Sequence, residues 1–363
     1  MRKLITSEAI TEGHPDKICD KISDKILDTA LGQDKFSKMA VETTIKDELV
    51  LIYGEAKTSA LIDYESIAKS VLLDIGYTEE YKIITKVGVQ SAEINNAVDK
   101  DTVCAGDQGI MFGYATDESK EYMPLSILFA NRLAKQLTKV RKEDKNSILR
   151  PDGKTQVTVE YVDDKPVRVD TIIIAIQHKE GVNKQELNDL IVNEVIKKII
   201  PAELLDDKTR ILINTSGSFV LGGSFGDSGT TGRKIVVDTY GGVGRVGGGC
   251  FSSKDPSKVD RSAAYYARYV AKNIVAAGFA KRCEVEVAYT IGMEKPIAVN
   301  IETFNTENVS MDKIYDFVNK KFDFSVDNII KELDLLKPIY YDLAAYGHFG
   351  RDDLDLTWEK IKS

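Results

Sequence analysis

Ile18, Ile22 and Ile26 recur at four-residue spacing behind Pro15, which suits the first position of a helix. The pattern predicts a helix over about 15–31, and comparable segments predict helices over about 124–142 and 256–278. Each is followed by two runs of alternating or β-branched residues around a polar turn, near 38–57, 155–178 and 282–302. The turns are Lys46-Asp47-Glu48, Asp163-Asp164-Lys165 and Gly292-Met293-Glu294-Lys295. A second helix then follows each hairpin, near 64–76, 184–200 and 311–321, and strands near 82–90 and 209–214 close the first two units. The expected fold class is α+β. It comprises three similar α/β-layered units in pseudo-threefold repetition, each a small, mostly antiparallel sheet covered by helices on one face. No repeat is visible in the residues themselves. Gly- and charge-rich seams near 99–113 and 222–233 divide the chain into 1–100, 101–224 and 225–363.

Composition narrows the partners. With 363 residues, 43% hydrophobic and 29% charged, the chain has ample core for two or three domains. A net charge of −8 and a pI near 5.2 argue against a general nucleic-acid or anionic-membrane surface. No apolar run reaches membrane-spanning length, and the first residues lack a signal-peptide core. Cys19, Cys104, Cys250 and Cys283 are scattered and read as reduced thiols of a cytoplasmic protein.

Against that acidic background, the glycine-rich stretch from Gly226 to Asp260 gathers Arg233, Lys234, Lys254 and Lys258 with Asp227, Asp238, Asp255 and Asp260. Clustered cations beside flexible backbone fit a highly charged anion, with carboxylates left over to hold a metal. Asp255 is placed to cap the helix that follows, with Pro256 at its first position and Gly278 at its end. Lys254 and Lys258 then flank the first turn, where cations oppose the helix dipole at a cost of about 0.3–1 kcal/mol each. A bound phosphate reverses that sign. Two familiar phosphate motifs are excluded. Gly226–Lys234 has one residue too many for a P-loop, with Ile235 in place of the magnesium hydroxyl. Gly242–Gly247 matches GxGxxG, yet no helix is expected to open there. At the amino terminus His14 stands at a helix cap with Asp16 in the first turn. The pair suits a proton donor beside a metal ligand, and equally a plain cap with a dipole-stabilising carboxylate.

Six ordered motifs carry a resemblance over almost the whole chain. They are Thr6-Ser-Glu…Glu-Gly-His-Pro-Asp-Lys17, Gly106-Asp-Gln-Gly-Ile-Met-Phe-Gly-Tyr114, Arg150-Pro-Asp-Gly-Lys154, Gly226-Asp-Ser-Gly…Gly-Arg-Lys234, Lys254-Asp-Pro-Ser-Lys-Val-Asp-Arg-Ser-Ala264 and Ala345-Tyr-Gly-His-Phe-Gly-Arg351. The chain closely resembles the S-adenosylmethionine synthetase (methionine adenosyltransferase) family. That resemblance implies attack of the methionine sulfur on C5′ of ATP, then hydrolysis of the bound tripolyphosphate to pyrophosphate and phosphate. It implies two Mg²⁺ per site, held by Asp16 and Asp260, and a K⁺ site at Glu42. His14, Lys154, Arg233, Lys234, Lys254 and Lys258 would surround the triphosphate and carry catalysis. Glu55, Gln90, Asp227 and Lys258 would contact methionine, and Asp107, Asp152 and Phe219 the adenosine. The resemblance also implies a homodimer or dimer of dimers with sites between subunits. Departures are Ser218 in place of a usual arginine, Ser253 in place of glycine, Val246 in place of a common histidine, and Ala92-Glu93 in place of Pro-Asp. The stretch Ile94–Ala105 is shorter than the family's mobile lid, so altered lid kinetics are expected.

Overall fold

The computed structural model describes residues 1–89 and 103–362. The Gln90 assignment, the Ala92-Glu93 departure and most of the Ile94–Ala105 stretch lie outside those residues. The three early helices form as α1 (Pro15–Gln33), α3 (Leu125–Glu143) and α5 (Val259–Ala276), with α2 (Tyr64–Ile75) between the first two. The three hairpins form as β2 (Lys38–Lys46) with β3 (Leu49–Lys57), β6 (Leu149–Val162) with β7 (Lys165–His178), and β10 (Arg282–Tyr289) with β11 (Ala298–Glu302). Asp163 and Asp164 both take positive φ, 50° and 62°, which suits a tight turn between twisted strands. The helix expected over 184–200 begins as α4 (Lys184–Leu190) and widens into a π turn over Ile191–Ile196. The last expected helix is α6 (Met311–Lys321), followed by α7 (Val326–Glu332).

The start of α5 corrects the sequence reading. Asp255 does not cap the helix: its Oδ1 accepts from Ser257 N at 2.9 Å and its Oδ2 from Met39 N at 2.7 Å. The helix opens later, with Lys258 at the N-cap and Asp260 in the first turn. The Asp255 oxygens also accept from Ser257 Oγ at 2.6 Å and from the Lys258 ammonium, so all four acceptor sites are taken and none is left for helical N–H groups.

Each sheet borrows a strand from elsewhere in the chain. β1 (Arg2–Ile10) precedes α1 yet pairs with β6; β5 (Gly109–Thr116) precedes α3 yet pairs with β10; β9 (Gly229–Thr230) precedes α5 yet pairs with β2. With β4 (Lys82–Gly88) parallel to β3 and β8 (Arg210–Ile213) parallel to β7, the sheets run β1-β6-β7-β8, β11-β10-β5 and β4-β3-β2-β9. α1 packs on β2 and β9, α3 on β1 and β6, and α5 on β5 and β10. The α5 contact is close: a Cβ on Gly113 would lie 2.0 Å from the Ala267 carbonyl carbon. Ile18, Ile22 and Ile26 are fully buried with Val41, Ile45 and Ile52, in a core that continues into Tyr265, Val285 and Val287. Among the described residues no helix is long and apolar enough to cross a membrane.

Candidate active site

Strand pairing delivers the first group of site residues. β1 ends with Ile10 opposite Lys154, and Thr11 continues the contact through its N–H to Gly153 O (2.9 Å) and its hydroxyl to Pro151 O (2.6 Å). Gly13 passes so near Pro151 that a Cβ would lie 2.4 Å from it. His14 at the α1 cap therefore stands beside the Pro151–Lys154 start of β6. β9 comes in from the other side, and Thr230 N donates to Asp16 Oδ1 at 3.0 Å. Lys234 bonds Asp16 Oδ2, while Arg233 Nε lies 3.5 Å from Oδ1. Asp152 is buried and accepts from Gly223 N at 2.8 Å, which tethers the loop carrying Phe219 and Asp227. Phe219 is half-buried, its N–H donating to His178 Nε2 at 3.1 Å; Asp227 and Lys154 are exposed.

The electrostatics fix the state of His14. Its Nδ1 accepts the Asp16 N–H at 3.2 Å, so the proton of the neutral ring sits on Nε2. Burial first, then the Lys234 and Lys154 charges, lower its pKa to about 4. Near neutral pH it is an uncharged N–H donor. Burial alone would raise Asp16, but the bonds from Lys234 and Thr230 N–H outweigh it and hold the carboxyl below its usual range.

Burial raises Asp152 to about 6, against the pull of Gly223 N–H and Lys154. A carboxyl whose folded pKa exceeds its unfolded value binds extra protons only when folded. It therefore penalises folding above about pH 6, and the penalty fades as pH falls towards 4. Asp152→Asn is expected to stabilise the fold at pH 8 by up to about 3 kcal/mol, with little gain near pH 4. Paired thermal melts at the two pH values check this; equal shifts would contradict it.

The second group is built on β2 and the approach to α5. Ala40 bridges to Lys254, and Lys254 pairs with Asp260 while Lys258 pairs with Asp255. Gly249 and Gly109 close on Asp260: added Cβ atoms would lie 2.0 Å from its Cγ and 3.3 Å from its Oδ1. Gly106 likewise lies by Ser257 O, which sets the exposed Asp107 on the same side. Glu42 follows Ala40 on β2 and accepts from Tyr53 Oη at 3.2 Å, and Glu55 is exposed opposite Ala40 in register. Among the described residues no hydrogen bond or ion pair joins this group to the first.

Not every carboxylate of the glycine-rich stretch remains for a metal. Asp238 and Asp255 are buried and taken up by Lys17 and Lys258, a correction that follows from their burial beside those cations. Among the described residues no cluster of three His, Cys, Asp or Glu side chains is placed to hold a metal. Asp16 and Asp260 are each paired with a lysine of their group, which fits an ion completing its shell with substrate phosphates. The four cysteines are unbridged. No helix opens over 242–247, in accord with the exclusion of a dinucleotide motif.

Ser253 lies beside Lys254 at φ +79°, buried, with its hydroxyl lacking a hydrogen-bond partner among the described residues. Glycine adopts that conformation without strain. Ser253→Gly is expected to stabilise the fold by about 1 kcal/mol. A higher urea midpoint at unchanged slope checks this, and a lower midpoint would contradict it.

Comparison with known proteins decides the family. The S-adenosylmethionine synthetase N-terminal domain model matches residues 2–102, the central domain 102–219 and the C-terminal domain 221–360. The chain belongs to the S-adenosylmethionine synthetase family. It is 50% identical to an S-adenosylmethionine synthase of Clostridium acetobutylicum and 49% to one of Clostridium tetani, each over 99% of this chain and 97% of the relative. Sequence motifs alone led to the family. What they left out are the buried residues behind the site: Tyr77, whose hydroxyl donates to Gly13 O at 2.7 Å, and Lys17 and Asp20. The latter two lie inside or beside a quoted motif, but nothing in their type distinguishes a buried ion from a solvated one.

Proposed function

We propose that this chain makes S-adenosylmethionine from ATP and L-methionine. The methionine sulfur donates a lone pair to C5′, the C5′–O bond breaks, and its electron pair leaves with the tripolyphosphate, giving a sulfonium. A neutral thioether needs no general base, so the work is positioning and stabilising a multiply charged leaving group. One observation carries the reading: a neutral His14 bearing Nε2–H near Lys154 and Lys234, with Lys234 and Arg233 gathered at the neighbouring Asp16. His14 is suited to donate to the departing C5′ oxygen while the three cations hold the phosphates. Lys254 and Lys258 add charge, Asp152, Asp107 and Phe219 hold the adenosine, and Glu55, Gln90, Asp227 and Lys258 hold methionine. Asp16 and Asp260 would hold two Mg²⁺, and Glu42 a K⁺; the divalent ions supply neutralisation of the leaving charge. Hydrolysis of the tripolyphosphate to pyrophosphate and phosphate follows at the same cations.

Because no hydrogen bond or ion pair joins the two groups among the described residues, we read them as half-sites that meet across a homodimer or dimer of dimers, in a cytoplasmic enzyme. We read the three segments 1–100, 101–224 and 225–363 as repeated units; the borrowed strands β1, β5 and β9, each upstream of the long helix of its unit, support that reading.

Product analysis tests the function. Purified protein with ATP, methionine, Mg²⁺ and K⁺ should yield S-adenosylmethionine with equal pyrophosphate and phosphate, and omission of K⁺ should slow it. Triphosphate hydrolysis independent of methionine, or no turnover, would overturn the proposal in favour of a phosphatase or a regulatory chain.

A further inference from the structure

The phosphate-binding cations rest on a buried ionic knot. Lys17, Asp20 and Asp238 are each at most 3% exposed. Lys17 Nζ donates to Asp20 Oδ2 at 2.9 Å and also to Asp238 Oδ1. Asp20 Oδ1 accepts Gly232 N at 2.8 Å, immediately before Arg233. Asp238 N donates to Lys234 O at 2.9 Å and closes the single helical turn Ile235–Asp238. The C-terminal motif, which has no part in the chemistry above, backs this turn. His348 N donates to Asp238 O at 3.0 Å, its Nδ1 shares a hydrogen bond with Tyr265 Oη at 2.7 Å, and Phe349 stacks on Tyr240 with centroids 5.1 Å apart.

Stability alone does not explain the ions, because well-packed apolar side chains often replace buried charges at no loss. What ions add is direction. Every bond of the knot ends beside a functional residue: Lys17 next to Asp16, Gly232 next to Arg233, and Asp238 on the carbonyl of Lys234. We infer that Lys17, Asp20 and Asp238 are positioning residues that fix the Arg233–Lys234 turn against the first turn of α1, with the segment 345–351 holding the turn from behind. The inference rests on the polyphosphate reading above and names what sets its geometry. Misplacement by about 1 Å costs on the order of a hundredfold in rate.

The test uses full-length Asp238→Asn, Asp20→Asn and Asp20→Ala. It measures melting temperature, steady-state S-adenosylmethionine formation, and calorimetric binding of inorganic tripolyphosphate with Mg²⁺. Folded Asp238→Asn should lose tenfold to a hundredfold in kcat (about the range expected of misalignment) and bind tripolyphosphate correspondingly more weakly, with KM for methionine little changed. Asp20→Asn, which keeps an acceptor for Gly232 N–H, should lose less than Asp20→Ala. Should Asp238→Asn not fold, the Asp20 pair carries the test. Folded variants with kcat and tripolyphosphate affinity like the wild type, or losses only in melting temperature, would overturn the inference. A wild-type chain that neither turns over nor binds tripolyphosphate would instead sink the polyphosphate reading, and the inference with it.

Discussion

Lys234→Met should lower kcat for S-adenosylmethionine formation by about 10²–10³, the loss typical of one removed charge-stabilising donor. Lys234 is partly buried and bonds Asp16 in the first turn of α1, so its ammonium is fixed rather than swinging in solvent. The substitution removes a positive charge from the leaving phosphates and leaves Asp16 with the more exposed Arg233 as its remaining cation. Both alkyl transfer and tripolyphosphate hydrolysis should therefore fall, while KM for methionine holds. Steady-state assays of the two half-reactions check this. A loss of less than tenfold in both would show that Lys234 serves only the fold.

Asp16→Asn should be as damaging by another route. The amide oxygen still accepts from Thr230 N, so the β9 contact survives and the melting temperature should move little. The carboxylate charge is gone, and with it the strongest donor for a hard divalent ion. The Mg²⁺ concentration for half-maximal rate should rise at least tenfold and kcat should fall by about 10² or more. An unchanged magnesium dependence, measured on folded protein, would remove Asp16 from the metal site.

Much of this fold was legible because its elements are periodic. The isoleucine stripe of α1 and the alternation of β2, β6 and β7 each report a buried face, and the polar turns between them lie where expected. Strand exchange was not legible: nothing local to β1 says that it pairs with β6, and β9 has two residues, too few to show a period. The late start of α5 escaped for a similar reason, since Met39 N, 216 residues away, claims Asp255. In the site, residue types and motifs pointed to the charged groups, and the structure brings His14, Asp16, Arg233 and Lys234 together. Which cation answers which carboxylate was beyond reach: Lys234 with Asp16 joins distant segments, and Lys254 with Asp260, though local, depends on how the turn into α5 is folded. Burial separates Asp238 from Asp227, and burial is a property of the fold.

The proposed active site is made of two halves from two chains. This arrangement is tested by mixing two inactive full-length variants, Lys154→Met from the first group and Asp260→Asn from the second. In random dimers, half the molecules are mixed, and each mixed dimer holds one intact site and one doubly damaged one. S-adenosylmethionine formation should recover to about a quarter of the wild-type rate. No recovery, with subunit exchange demonstrated by co-purification of differently tagged chains, would contradict the claim and return the whole site to a single chain.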